Sequence, residues 1–181
     1  MRLRLATPTV AWDLIAPSTC ELVDDAGWAG LVSTLGPDPL RPDADAGLVF
    51  AALASFPGSV GAALLDQSVV AGVGNFLRAE GLFRAGMHPT RPAASVDRAA
   101  FDRLWELLVD LMEQSVDDGR IISAPMPAAD RATVAEADGR MVYKQADCRA
   151  CGTPVDVFPF AGRTAYACSA CQPAGPTAPT R

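Results

Sequence analysis

The chain has 181 residues, half of them hydrophobic, with a formal net charge of −6 and a pI of about 4.7. That much apolar material supports one ordinary domain or two small ones and excludes global disorder. It also argues against a nucleic-acid binder that is basic all over, although the charge is uneven: eleven of the 21 acids lie between Asp97 and Asp147, whereas from Cys148 onward there are three arginines and one acid, Asp156.

No run of 18 apolar residues is present, so no membrane span is expected. The opening MRLRLATPTVAWDLI has no apolar stretch with a cleavage site and is not read as a secretory signal. Four of the five cysteines form two CxxC pairs. Such pairs suit metal binding in a reducing compartment better than a disulfide framework, so the expected location is the cytoplasm.

Residues 1–23 alternate in period two, Leu3 and Leu5 first, then Val10, Trp12 and Leu14. This predicts strands with one buried face, and Cys20 is read as a small core residue on the strand. Two strands are marginal by themselves, so the segment reads as the end of something larger. Asp24 to Leu35 is a short helix candidate, ended by Gly36-Pro37-Asp38-Pro39. Asp43 or Asp45 caps a helix to about Phe56, with Leu48, Val49, Ala52 and Leu53 inward. Ser59 caps another through Gln67 or beyond, with Val60, Ala63 and Leu64 on one side. Asn75 opens the next, with Leu77, Gly81, Leu82 and Ala85 inward, and Gly86 and Pro89 stop it.

Asp97 to Asp117 is the clearest helix. Phe101, Leu104, Leu107, Leu108, Leu111, Met112 and Val116 form its apolar stripe, opposite a solvated acidic face. Gly119 is its stop. Ile121 to Gln145 reads as a linker with a strand at Met141 to Tyr143. Thr153 to Val157 and Arg163 to Ala167 read as hairpin strands with Gly162 at the turn. The tail from Pro173 to Arg181 is expected to be disordered. Trp12, Trp28 and Trp105 are read as packing residues, His88 as structural, and Asp66 as a local hydrogen-bonding group.

Cys148-x-x-Cys151, sixteen residues, then Cys168-x-x-Cys171 is the strongest chemical signal. Each knuckle turns the chain so that two thiolates face one ion, and two knuckles complete a tetrahedral site. Four thiolates leave no open position, so the expected cofactor is one structural Zn2+, which supplies folding energy to a unit with little core. Arg163 at the hairpin tip suits a phosphate through its planar donor fork, or it is simply solvated. Gly72 and Gly74 before Asn75 allow positive φ and close backbone approach. Asn75 can cap its helix or give its amide to a phosphate, beside helix N-terminal amides that attract anions. A plain packing joint between helices would use the same glycines.

Leu64-Leu65-Asp66-Gln67, Val70 through Asn75, Arg78-Ala79-Glu80 and Leu82 through Pro89 together resemble the helix-two-turns-helix segment of the formamidopyrimidine-DNA glycosylase/endonuclease VIII family. Cys148 to Gln172, with Gly162-Arg163-Thr164 and Tyr166, is similar to that family's zinc finger. The resemblance covers about residues 1–172 and has both motifs in the family's order. It implies a protein that excises oxidised bases from DNA and nicks the abasic site by β,δ-elimination, with turn and finger gripping phosphates beside a flipped nucleotide. Asn75, with Gly74, stands at the family's phosphate-binding turn, and Arg163 stands at its zinc-finger arginine. Gly61 stands where the formamidopyrimidine branch often has a lysine, which favours the endonuclease VIII branch.

The family's nucleophile is an N-terminal proline followed by glutamate. This chain begins Met1-Arg2-Leu3 and has a single lysine, Lys144, so no catalytic residue is assigned and the chain is expected to be start-truncated or inactive. The expected fold is mainly α. Residues 1–23 are a remnant of a β-sandwich, 24–140 a helix-two-turns-helix bundle, 141–172 a four-cysteine zinc ribbon, and 173–181 the tail. The expected partner is damaged or abasic double-stranded DNA, bound by a monomer. The alternative is a non-catalytic zinc-containing DNA-binding or protein-interaction module.

Overall fold

A computed structural model of the chain describes residues 3–15 and 20–174. The fold divides into two compact units, Met1–Ser33 and Thr34–Arg181.

In the first unit β1 (Leu3–Ala6) pairs antiparallel with β2 (Ala11–Leu14), Leu3 opposite Leu14 and Ala6 opposite Ala11. Arg4 and Asp13, opposite each other, form a two-point ion pair at 2.6 and 2.7 Å. The expected buried face is not found: every hairpin residue is exposed, Leu5 and Trp12 at 59% each. A two-stranded ribbon has too little of its own structure to cover either face. α1 (Asp25–Val32) starts at Asp24, whose side chain accepts from Gly27 N. It stops three residues short of Leu35 and buries nothing, so Trp28, like Trp12, is not a packing residue. Cys20 is exposed and lies outside both strands, contrary to the core role expected of it.

The second unit is helical, with a metal-type ribbon. Asp45, not Asp43, caps α2 (Ala46–Ser55) by accepting from Gly47 N at 2.7 Å; Asp43 pairs instead with Arg41. Val49 and Leu53 are buried, but Leu48 is 61% exposed, because the helix buries only a narrow stripe. α3 is a single turn, Val60–Ala63, and does not reach Gln67. Beyond it Leu65 and Asp66 bond three residues back, to Ala62 and Ala63, and the chain turns. Asp66 accepts from the Ser68 N–H and hydroxyl, as its position suggested, and these bonds hold its carboxyl below the ordinary range.

α4 (Asn75–Arg84) follows the turn, and a short 3-10 turn (Ala93–Ser95) leads to α5 (Arg98–Asp118). Asp97 caps α5 through Ala100 N, and Gly119, at φ 63°, ends it in the left-handed region. Leu104, Leu108 and Leu111 of α5 pack with Leu82 of α4, Val60 of α3 and Leu53 of α2 in one core. Trp105 packs half-buried against that core, whereas Val116 points to solvent at 67% exposure. Between residues 121 and 145 there is one helical turn, α6 (Ala128–Arg131). Met141–Tyr143 is not a strand, because its backbone N–H groups are spent on a buried side chain of α4 rather than on a neighbouring strand.

The ribbon's β3 (Asp156–Phe160) and β4 (Arg163–Ala167) pair antiparallel. β3 starts three residues later than expected, because Thr153 O accepts from Cys148 N inside the first knuckle. Ala161 (φ 48°) and Gly162 (φ 71°) form the two-residue primed turn that a twisted hairpin favours. A smaller core of Ala79, Val142, Cys148, Val155 and Cys168 joins the ribbon to α4. Residues 175–181 of the expected disordered tail lie outside the described residues. Among the described residues no helix is long and apolar enough to cross a membrane.

Candidate nucleic-acid interface and metal centre

Gln67 builds the turn ahead of α4. Its side-chain oxygen accepts from Gly72 N at 2.9 Å, and its amide donates to Val73 O at 3.1 Å. Gly72 has φ 82°, where a side chain is strained. Gly74 differs from expectation: its backbone is extended (φ −97°, ψ −177°), a conformation open to any residue. A Cβ there would meet nothing within 4 Å, so the missing side chain leaves the first-turn amides of α4 open to a ligand. Gly74 is the N-cap and Asn75 the first helical residue, so Asn75 does not cap.

The Asn75 amide reaches across 89 residues of sequence and donates to Thr164 O in β4 at 2.9 Å. Arg163, next to Thr164, is exposed at the start of β4. Gly72, Gly74, Asn75, Ala161 and Arg163 line one cleft of about 500 Å³. The fold therefore brings together the turn and the hairpin tip singled out from sequence.

Cys148, Cys151, Cys168 and Cys171 place all four Sγ atoms within 4.8 Å of one another. Adjacent sulfurs stand 3.5 Å apart for Cys151–Cys168 and Cys151–Cys171 and 3.9 Å apart for Cys148–Cys171. A tetrahedron with metal–sulfur bonds near 2.3 Å has sulfur–sulfur edges of about 3.8 Å, so the donor set fits a four-thiolate ion. Hydrogen bonds with Thr153 pull the Cys151 thiol down to about 6. Its bond to Cys151 pushes Cys171 up to about 12, and burial pushes Cys148 up. A dication bound by four thiolates would displace their protons.

Residues 35–125 match the family model described as the formamidopyrimidine-DNA glycosylase H2TH domain. This chain belongs to the formamidopyrimidine-DNA glycosylase/endonuclease VIII family. It is 36% identical over 177 residues to Endonuclease 8 1 of Mycobacterium tuberculosis, covering 95% of this chain and 66% of the relative. It is 34% identical over 144 residues to the formamidopyrimidine-DNA glycosylase of Synechococcus, covering 78% and 51%. The chain thus spans about two thirds of the first relative and half of the second. Among solved structures, the Thermus thermophilus Fpg (MutM) aligns with TM-score 0.68 at 31% identity, covering 84% of this chain and 59% of that one. Lactococcus lactis Fpg in complex with DNA containing an abasic site aligns with TM-score 0.67 at 25% identity, covering 82% and 55%.

Within this family framework, Gly61 is buried, and a Cβ there would lie 2.7 Å from Pro89 O and 2.8 Å from Pro89 Cβ. Gly61 is thus a point of close backbone contact. Three residues central to the site stand in the motifs quoted from sequence but were given no role there. Arg78, 1% exposed, donates through Nη2 to Thr164 O at 3.0 Å. Glu80, fully buried, accepts from Ser123 Oγ and from the N–H groups of Met141, Val142 and Tyr143. Gln172, also fully buried, accepts from Cys168 N and donates to Met87 O, tying the second knuckle to the exit of α4. For Arg78 and Glu80 the available signal was two charged residues set among Leu77, Ala79, Gly81 and Leu82: a helix packed on several sides must bury its polar side chains against partners. His88 is half-buried, stacked on Phe158 and bonded to Thr90, consistent with a structural role.

Proposed function

We propose that this chain grips the backbone of damaged or abasic double-stranded DNA, as part of a base-excision glycosylase/AP lyase of the endonuclease VIII type that acts on oxidised bases. The helix-two-turns-helix part, within 24–140, offers Asn75 and the open amides beside Gly74. The ribbon, within 141–172, offers Arg163. One Zn2+ held by Cys148, Cys151, Cys168 and Cys171 fixes the ribbon and does no chemistry, since four thiolates leave no position for water. The observation that carries the reading is the Asn75–Thr164 bond, which sets an anion-attracting helix start beside an exposed arginine across a single cleft.

The test is binding of a fluorescent duplex that carries an abasic-site analogue. Arg163→Ala is expected to weaken it about tenfold or more, the loss of one charge-assisted phosphate contact, and to lower the salt slope by about 0.9. Asn75→Ala is expected to weaken it by less. Unchanged affinity in both variants refutes the assignment.

A second reading, a non-catalytic module that also engages protein, is favoured by the apolar exposure of the first unit, Trp12 at 59% and Trp28 at 64%. Borohydride trapping on abasic duplex tests whether this chain carries lyase chemistry of its own. Lys144, the single lysine, has Nζ 5.6 Å from the Tyr143 ring centroid and pairs with no acid among the described residues. Retention of the duplex without a covalent adduct is therefore expected, and an adduct would assign Schiff-base chemistry to an amine of this chain.

A further inference from the structure

Arg78 lies one turn into α4, on the same face as Asn75 three residues earlier. Its side chain is 1% exposed. Nη2 donates to the same Thr164 carbonyl that Asn75 holds, at 3.0 Å. Its guanidinium carbon also stands 5.4 Å from the centroid of the Phe160 ring. Phe160 and Arg163 are cross-strand partners flanking the Ala161–Gly162 turn. One buried cation therefore holds both strands of the hairpin at its tip, β4 by a hydrogen bond and β3 by an aromatic face.

This arrangement is expensive. Nη1 is buried without a hydrogen-bond partner, and no carboxylate pairs with Arg78 among the described residues. Burial pushes the guanidinium below its ordinary value, with Tyr143 opposing weakly. An apolar side chain of similar volume would pack there without that penalty. What an apolar chain cannot do is fix a carbonyl and a ring at one point.

We infer that Arg78 is a positioning residue: through Thr164 and Phe160 it fixes the Arg163 tip at a set distance from the Asn75 turn, so that the two phosphate-binding points act as one clamp. The inference rests on the DNA-grip reading above.

The experiment uses the full zinc-loaded chain and a fluorescent duplex carrying a tetrahydrofuran abasic-site analogue. Arg78→Met is expected to keep one zinc per chain and an unchanged unfolding midpoint, yet to weaken binding about tenfold. In the Arg78→Met/Arg163→Ala double variant, the penalty of Arg163→Ala is expected to shrink to under about twofold, because a misplaced tip gains little from its arginine. Amides of residues 160–164 are expected to exchange faster in DNA-free Arg78→Met. Additive penalties, unchanged affinity, or unchanged exchange at the tip each overturn the inference. If Arg78→Met loses zinc or unfolds, Arg78→Lys carries the test: it keeps the charge without the planar fork, and full affinity in that variant overturns positioning in favour of charge alone. If Arg163→Ala and Asn75→Ala leave affinity intact while the tip exchanges faster in Arg78→Met, the placement stands and the DNA-grip reading is what fails.

Discussion

Replacing Glu80 isolates the bond set that ties the linker to α4. Its carboxylate accepts four hydrogen bonds in a fully buried place: Ser123 Oγ at 2.5 Å and Met141 N at 3.0 Å on Oε2, Val142 N at 3.0 Å and Tyr143 N at 2.6 Å on Oε1. In Glu80→Gln an NH2 must face one of these pairs. Facing Val142 and Tyr143 it orphans two backbone donors. Facing Ser123 and Met141 it orphans one, since the hydroxyl can rotate to accept. The second arrangement is cheaper. One orphaned buried donor and the loss of charge assistance in the remaining bonds come to about 2–3 kcal/mol. Glu80→Ala leaves every donor unpaired and opens a cavity, about 4 kcal/mol or more. Urea unfolding of the zinc-loaded chain reads both values, and a thermal melt should fall by about 5–10 °C for the glutamine variant. A glutamine variant within about 0.5 kcal/mol of the parent, or an alanine variant no worse than it, would refute the reasoning.

Removal of zinc with a strong chelator is expected to unfold the ribbon and abolish DNA binding while the core of α2–α5 persists; protein metal analysis should give one zinc per chain before treatment, and circular dichroism should keep most helical signal afterwards. Burial holds His88 below the ordinary imidazole range against a weaker pull from Asp156. The unfolded chain then takes up the proton first, so stability is full above about pH 6.5, declines as pH falls below it, and levels once the folded imidazole protonates. His88→Gln should flatten that limb in urea midpoints measured between pH 7.5 and 5. Gly61→Ala forces a Cβ against Pro89 O at 2.7 Å; a melt should show about 1–3 kcal/mol lost, and a lysine there should do worse.

Sequence periodicity was sufficient where an element meets water on one side. α5, with Asp97 before it and Gly119 after it, lies where its stripe and caps put it, and the Gly162 turn and β4 follow from short-range signals alone. The reading failed where burial is decided by distant chain. Trp12 and Trp28 look like packing residues because apolar alternation and spacing describe a surface that wants covering, not what covers it. α3 ends after one turn because the Gln67 side chain organises the following backbone in place of helical bonds, a competition that local propensity does not register. The four cysteines were legible from spacing. Arg78, Glu80 and Gln172 were not, because a buried polar side chain is explained only by its partner, and each partner lies at least 43 residues away except the Cys168 N–H held by Gln172.

Those three residues explain how the ribbon and the helices join in one compact unit. Arg78 near the start of α4 holds the hairpin tip, Glu80 in its middle holds Met141–Tyr143 ahead of the first knuckle, and Gln172 bonds Met87 just past its end. The ribbon has only a small apolar core with α4, centred on Ala79, Val142 and Val155. Apolar burial of that size holds two surfaces together but leaves them free to slide, because it is non-directional. Hydrogen bonds at two heights along α4 and a third just past its end fix the register instead, since each is lost by a shift of an ångström. The four-cysteine cluster therefore shapes the hairpin locally, while α4 sets where that hairpin stands. Placement of Arg163 opposite Asn75 requires both, which is why a cleft built from two distant motifs depends on polar residues that line neither the sulfur cluster nor the open cleft.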